Sequence, residues 1–410
     1  MTTSSLEIGQ TFSGDVHVTN GRKLFSAGHV ITEQTLRVLK IWGVRDVPLH
    51  EVADSDFKAA QKDKINDVVA ERFTPAMQML FRDNDIGTFP ISCLLRECVA
   101  LADKAEDSSD GFFSYLHTSS MPNLQSFNSI DLVPSIDLDE ILSGYDGFPE
   151  DLFALTNMLN DVYVTSEAVV AAVDKNKRVK DKLLKICESL IHVSNCKITS
   201  VYSCTSFLGN RTVLYLAIML VYIHHVQDSY NSAMMMHYCR YAITTGVAAR
   251  YIASSIGVYR RECFFSSGLL RDVGCVFYSR NFTDEYEKVR QKVLCDGLCL
   301  CAAEEKYMKM NHAELGGRIL KWLGFPASME KSVQEHHTAS TDITTKEHAV
   351  MHIAEIVAKA LTFDPVYDVP APVVNAAAWE MLNITEATFT DFVKMIYIKS
   401  KEIIRLAYAE

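Results

Sequence analysis

The residues with the greatest chemical capacity gather in the second half of the chain. SSGLLRDVG, residues 266–274, sets Arg271 beside Asp272 after two leucines. NHAELGGRILKWLG carries His312, SMEKSVQEHH ends on His336 and His337, and the apolar run HAVMHIAEIVAKAL contains Glu355. Imidazoles and carboxylates brought together can hold a divalent cation that activates a bound water. Arginine cannot join such a ligand set, because its guanidinium keeps its proton and has no lone pair to offer. SSGLLRDVG reads as the end of a helix that delivers both charges inward and breaks at Gly274. Taken singly, a histidine near a helix start (His312) and a pair at a helix end (His336, His337) are more often capping or surface groups than ligands.

Other chemistries find less support. The chain contains no GxSxG elbow, Walker loop, strand-linked GxGxxG or HExxH. The cluster CDGLCLC, with Cys295, Cys299 and Cys301, matches neither a paired CxxC zinc ribbon nor an iron–sulfur run, so buried or semi-buried thiols are expected. Nothing in the spacing of His224, His225 and His237 favours a metal over core or surface roles.

The elements that must position these groups are helical. From Pro149 onward, LFALTNMLND, TSEAVVAAVDK, VKDKLLKICESL, TVLYLAIMLVYIHHV, MMHYCRYAITTGVAARYIASSIG, RECFFSSGLLRDVG, HAELGGRILKWLG, SMEKSVQEHH, TKEHAVMHIAEIVAKAL and TFTDFVKMIYIKSKEIIRLAYA carry apolar residues at three- and four-residue spacings. Asn311 with Glu314 gives a start resembling a capping box, placing His312 on the first turn. The first fifty residues differ. TFSGDVHV alternates like a strand, Asn20-Gly21 signals a hairpin, KLFSAG returns, Thr32 caps a helix ended by Gly43, and VRDVPLH suggests a third strand. No nucleophile or carboxylate pair marks this module, which points to an interaction role.

Composition bounds the function. The 410 residues are 48% hydrophobic and 22% charged, which suits a multi-domain globular chain. A formal charge of −11, from 51 acidic and 40 basic residues, disfavours sequence-independent nucleic-acid binding. The local basic run KNKRVKDKLLK, with Lys175, Lys177, Arg178, Lys180, Lys182 and Lys185, reads as a solvated helix face. Eleven cysteines without a signal-peptide pattern point to a reducing cytoplasm. The longest apolar stretch, Val213 to Ile223, is too short to span a membrane and reads as a core helix.

SSGLLRDVG followed by NHAELGGRILKWLGFPASMEKSVQEHH resembles the HDOD domain, a relative of the HD metal-dependent phosphohydrolases. The typical wording there is GLLHDIG, then HAEVG, a Trp-containing helix, Leu-Pro and His-His. Upstream, Leu183-Leu184, Ser189 and Leu208-Gly209 match the entry helices, with Glu188 replacing an asparagine. The resemblance covers roughly residues 149–360. It implies a metal site of one histidine, a His-Asp doublet and a distant aspartate, and those positions here hold Tyr241, Arg271-Asp272 and Glu355. The resemblance thus implies a degenerate pocket of Tyr241, Arg271, Asp272, His312, His336, His337 and Glu355, without catalytic residues, metal or cofactor. Arg271 would stand in for the missing cation, paired with Asp272 or Glu355. The Gly-Tyr-Pro segment of cyclic-di-GMP phosphodiesterases does not follow His336-His337.

The resulting expectation is a mainly α protein, an all-α HD-like C-terminal domain with a small N-terminal α+β module. The spans are 1–52 for the module, 53–106 for a helical bridge, 107–148 for an irregular linker, 149–362 for the HDOD domain and 363–410 for a helical extension. The function expected is that of a cytoplasmic bacterial regulator acting on signalling proteins, with a nucleotide or other anion as possible ligand and neither nucleic acid nor membrane insertion. The alternatives are a phosphohydrolase with a rearranged site, and a scaffold recruiting partners through its surface.

Overall fold

A computed structural model describes residues 12–17, 23–25, 29, 31, 35, 39, 44, 47–48, 74–87, 89–105, 111–117, 149–190, 198–230, 233–257, 261–337 and 343–408. The chain divides into two compact units, Met1–Glu71 with Thr385–Thr388, and Arg72–Ile384 with Phe389–Glu410.

In the smaller unit β1 (Val16–His17) pairs antiparallel with β2 (Lys23–Phe25), Val16 opposite Phe25. Alternation sends Phe12 and Val16 inward to meet Ile31, Leu39 and Val47 in a small core. The Asn20-Gly21 turn, the Thr32 cap, most of VRDVPLH, the first part of the 53–106 bridge and most of the 107–148 linker lie outside the described residues.

Among the described residues of the larger unit, the regular elements are all helices. It begins with α1 (Pro75–Leu80), α2 (Ile91–Ala102) and α3 (Ser114–His117), then α4 (Glu150–Met158), α5 (Ser166–Val173), α6 (Lys177–Leu190) and α7 (Val201–Leu208). Two long helices follow, α8 (Asn210–Tyr230) and α9 (Ala233–Ser255), then α10 (Arg261–Leu270), α11 (Val273–Asn281), α12 (Thr283–Asp296) and α13 (Leu300–Tyr307). The series closes with α14 (His312–Trp322), α15 (Ala327–Gln334), α16 (Lys346–Thr362), α17 (Ala376–Leu382) and α18 (Glu386–Tyr408).

Local chemistry sets these boundaries. Thr165 and Thr345 each accept a backbone N–H as N-caps of α5 and α16, and Ser200 with Ser203 closes a capping box on α7. Gly209, at φ +82°, turns the chain sharply between α7 and α8, where a side chain would be strained. The run Val213 to Val221 on α8 is buried, which makes it a central helix, and no helix among the described residues is long and apolar enough to cross a membrane.

Two helices next to the candidate site lie unusually close. Gly246 on α9 faces Gly268 on α10, and a Cβ on Gly268 would stand 2.8 Å from the Gly246 Cα. The absence of two side chains lets the backbones touch, fixing where α10 ends and therefore where Arg271 emerges. Segments on either side of the resembling region also pack on it. Tyr115 donates to the Ala360 carbonyl at 2.8 Å, Phe113 N–H to Leu361 at 3.1 Å, and Lys182 to Ala407 at 2.6 Å. Residues 111–117 are therefore ordered against α16. Lys182 is a buried member of a run otherwise read as a solvated face.

Replacing Gly268 with Ala is expected to destabilise the protein by about 1–3 kcal/mol through overpacking. A lowered urea midpoint at unchanged slope would register this, and an unchanged midpoint would show that the two helices can part.

Candidate functional site

The turn between α10 and α11 consists of Arg271 and Asp272. The reading of Gly274 as a helix breaker is corrected here: Gly274 lies inside α11. Its function is close approach, since a Cβ there would run into the His312 carbonyl oxygen. A side chain would push α11 away from α14 and separate Asp272 from His312.

Arg271 is buried, and its Nη2 lies 2.5 Å from Glu355 Oε1 on α16, with Nε 3.8 Å from Asp272 Oδ2. Tyr241, buried on α9, senses the same charges, and burial pushes its phenol well above the ordinary value. Across Asp272 stand the histidines. His312 Nε2 is 3.5 Å and His336 Nε2 3.7 Å from Asp272 Oδ1, while His337 Nε2 is 2.7 Å from His312 Nε2. All seven residues singled out in the sequence thus meet in one place. His312 and His336 are buried, which corrects the capping or surface reading of single histidines: both rings face inward. Asn311 accepts from Glu314 N–H at 2.9 Å, but the Glu314 side chain turns to Arg318, so only half the capping box forms.

Two residues that sequence reasoning passed over complete the cluster. Glu304 on α13 accepts from His312 N–H at 2.8 Å, stands 2.6 Å from His312 Nδ1, and accepts from the Tyr286 hydroxyl at 2.7 Å. Cys275 on α11 lies in contact range of Glu304 and His312. Leu300, Ala303, Glu304 and Tyr307 share one face by helical spacing, a signal that would have placed Glu304 inside. Of the CDGLCLC thiols, Cys301 is partly buried, within the expectation of buried or semi-buried thiols, whereas Cys295 and Cys299 are exposed, which corrects it for those two.

The charges order the protonation states. Burial opposes charging Asp272, but the Arg271 guanidinium and the His312 hydrogen bond hold its carboxyl well below the usual range. Burial also opposes charging His312, yet Cys275, Glu304 and Asp272 outweigh it and hold the imidazole well above its ordinary value. Burial and nearby positive groups push His336 and His337 well below theirs, so both stay neutral.

A second buried group adjoins the first. Asp368 Oδ1 lies 2.5 Å from Lys359 Nζ, and Oδ2 lies 2.9 Å from His237 Nε2, while Lys359 sits 4.6 Å over the Tyr241 ring. His237, left without a role by its spacing in the sequence, is thereby explained as a buried partner of Asp368. A cleft of about 620 Å³ runs past Tyr238, Tyr241, Asp272, Arg290, Glu355 and Lys359.

The metal arrangement of HD hydrolases does not fit these residues. The position that the resemblance gives to the first ligand holds a phenol, Tyr241, and a guanidinium that cannot ligate holds the Glu355 carboxylate directly. What remains capable of holding an ion is a different set around His312. Asp272 with His336, Cys301 with His337, and Cys275 with Glu304 each bring donor atoms within 4.8 Å of one another and of a His312 nitrogen.

Glu355→Ala is expected to cost about 3–5 kcal/mol, because it leaves the Arg271 charge buried and unpaired. The double substitution Arg271→Met, Glu355→Leu should recover most of that loss in urea unfolding; equal destabilisation by both would mean the pair is not the reason for the cost. Asp368 supplies a pH signature. Burial opposes its ionisation, but His237 and Lys359 depress its pKa below the ordinary value. Its stabilisation is therefore complete above an unfolded value of about 3.9 and is lost as pH falls below it. Asp368→Asn should flatten the loss of stability as pH falls from about 4 to about 2, and an unchanged slope there would exclude this carboxylate as its source.

The HDOD domain family matches residues 147–339. Among solved structures, a candidate phosphohydrolase from Shewanella amazonensis SB2B is 14% identical, with TM-score 0.52 over 67% of this chain and 98% of its own. An HDOD domain protein of unknown function from Geobacter sulfurreducens is 16% identical, with TM-score 0.52 over 66% and 97%. A candidate signal transduction protein from Marinobacter aquaeolei VT8 is 15% identical, with TM-score 0.50 over 67% and 62%. No curated protein matches the chain. At such identities the structural likeness establishes the fold alone, and the family match identifies residues 147–339 of this chain as an HDOD domain.

Proposed function

We propose that this chain is a regulatory protein whose HDOD domain works through contacts with signalling proteins, without hydrolysis, and is gated by an anionic small ligand. The observation that carries this reading is the Arg271 guanidinium, 2.5 Å from Glu355 and beside Asp272. It supplies, as a fixed side chain, the positive charge that a catalytic ion would supply, and it cannot lower the pKa of a bound water as a metal does. A signal transduction designation on one fold relative and an HDOD designation on another are in keeping with it.

The cleft gives the ligand arm its physical content. Because Arg271 is engaged by Glu355, an entering anion would meet Arg290. That residue pairs with Glu287 and donates to the Val366 carbonyl at 3.0 Å, while its Nη1 is buried with no hydrogen-bond partner among the described residues. Tyr238, Tyr241 and Tyr367 line the same space and would face an aromatic portion of the ligand.

A hydrolase is the second reading, favoured by the Asp272, His312 and His336 donors within 4.8 Å of one another. The two separate in one assay. Full-length protein with Mn²⁺, Fe²⁺, Zn²⁺ or Mg²⁺ should leave bis(p-nitrophenyl) phosphate intact; metal-dependent turnover abolished by Asp272→Ala would establish the hydrolase instead. For gating, a ligand at about 100 times its Kd raises stability by about 2.7 kcal/mol. Unchanged melting temperatures across a panel of nucleotides and cyclic dinucleotides would remove the ligand from the proposal.

A further inference from the structure

The thiol side of the His312 cluster has a chemistry unlike that of the Asp272 side. Cys299 is the N-cap residue of α13 and Cys301 its second residue, so both thiols belong to the first turn of that helix. The Cys301 sulfur and one ring nitrogen each of His312 and His337 lie within 4.8 Å of one another. Behind His312, Glu304 takes the Nδ1 side at 2.6 Å and is itself held by the Tyr286 hydroxyl and the His312 backbone N–H. A carboxylate behind an imidazole fixes the tautomer and leaves the opposite nitrogen as donor toward a cation. That opposite nitrogen, Nε2, points at His337 Nε2 across 2.7 Å.

We propose that Cys301, His312 and His337, with Cys299 as a fourth donor, form a binding site for zinc, separate from the Asp272 position. Thiolate and imidazole donors together favour zinc over magnesium or manganese, which take oxygen ligands. Zinc bonds of about 2.0–2.1 Å to nitrogen and about 2.3 Å to sulfur place tetrahedral donors about 3.3–3.7 Å apart. The two imidazoles need part by less than about 1 Å to reach that spacing, and the ion takes the place of the proton they share. Two thiolates balance the charge of the ion, while Arg271 nearby is already offset by Glu355.

Four protein donors leave no position for a water, so the ion is structural or regulatory rather than hydrolytic. It would tie the start of α13 and the start of α14 to the histidine pair beyond α15. Cys299 also lines the 620 Å³ cleft, so occupancy would fix one of the cleft walls.

The test uses full-length protein purified without a histidine tag and stripped with chelator. Added Co²⁺ should produce the near-ultraviolet charge-transfer band of thiolate ligation, and zinc should bind at about one ion per chain by elemental mass spectrometry. Cys301→Ser and Cys299→Ser should each weaken zinc at least about tenfold and diminish the band. Glu304→Gln should weaken zinc by about 10–100-fold while keeping the band, and Asp272→Ala should retain both. A Co²⁺ spectrum without thiolate character in the unsubstituted protein would overturn the proposal, a result independent of whether any variant folds. So would zinc that survives Cys301→Ser but disappears in Asp272→Ala, which would place the ion at Asp272 and revive the hydrolase. Folded protein that binds no zinc would reject this site and leave the regulatory reading untouched.

Discussion

The buried pair between Arg271 and Glu355 is the constraint from which the arrangement of the centre follows. A guanidinium taken out of water is tolerable only with carboxylates at hydrogen-bonding distance, and a carboxylate on the buried face of α16 needs a cation in return. The two groups come from helices far apart in sequence, so satisfying either fixes how the α10–α11 turn meets α16. Asp272 then has its charge set by Arg271 on one side and shared with His312 and His336 on the other. The neutral state of His336 and His337 follows from the same positive charge and from burial.

Close backbone approach makes this pairing geometrically possible. Gly246 and Gly268 bring α9 and α10 into contact, and Gly274 brings α11 against the first turn of α14. Each contact lies one or two turns from a charged group, so the glycines convert helix packing into placement of side chains. The surrounding helices serve the same end from outside: α3 is hydrogen-bonded to the end of α16, and α18 accepts from the Lys182 ammonium at the Ala407 carbonyl. The lone cation of Lys359 is likewise absorbed, by Asp368 and the Tyr241 ring, in a second buried pair parallel to the first.

In this fold a side-chain ion pair occupies one part of the interior, and donor atoms suited to an ion gather in another. His312 is the hinge of this division. One of its nitrogens is committed to Glu304, and the other lies between a carboxylate and imidazole set and a thiol and imidazole set. The physical difference between the two sets is ligand softness, which decides what each could bind.

The amino-acid sequence by itself determined the helical class, most helix starts and the order of motifs, because apolar spacing, caps and breakers act over a few residues. It also determined that Arg271 could not ligate, since that follows from the guanidinium alone. Only the tertiary structure decided that Gly274 is a contact and not a break, that the histidine pair faces inward, that Glu304 stands behind His312, and that Asp368 gives His237 and Lys359 a partner. Those facts depend on pairs of residues brought together from separate helices, and on burial, which no local pattern of three- and four-residue spacing encodes for a polar side chain. Glu304 shows the boundary well: its position on the apolar face of α13 is readable from spacing, but its partner lies beyond a turn whose path only packing sets.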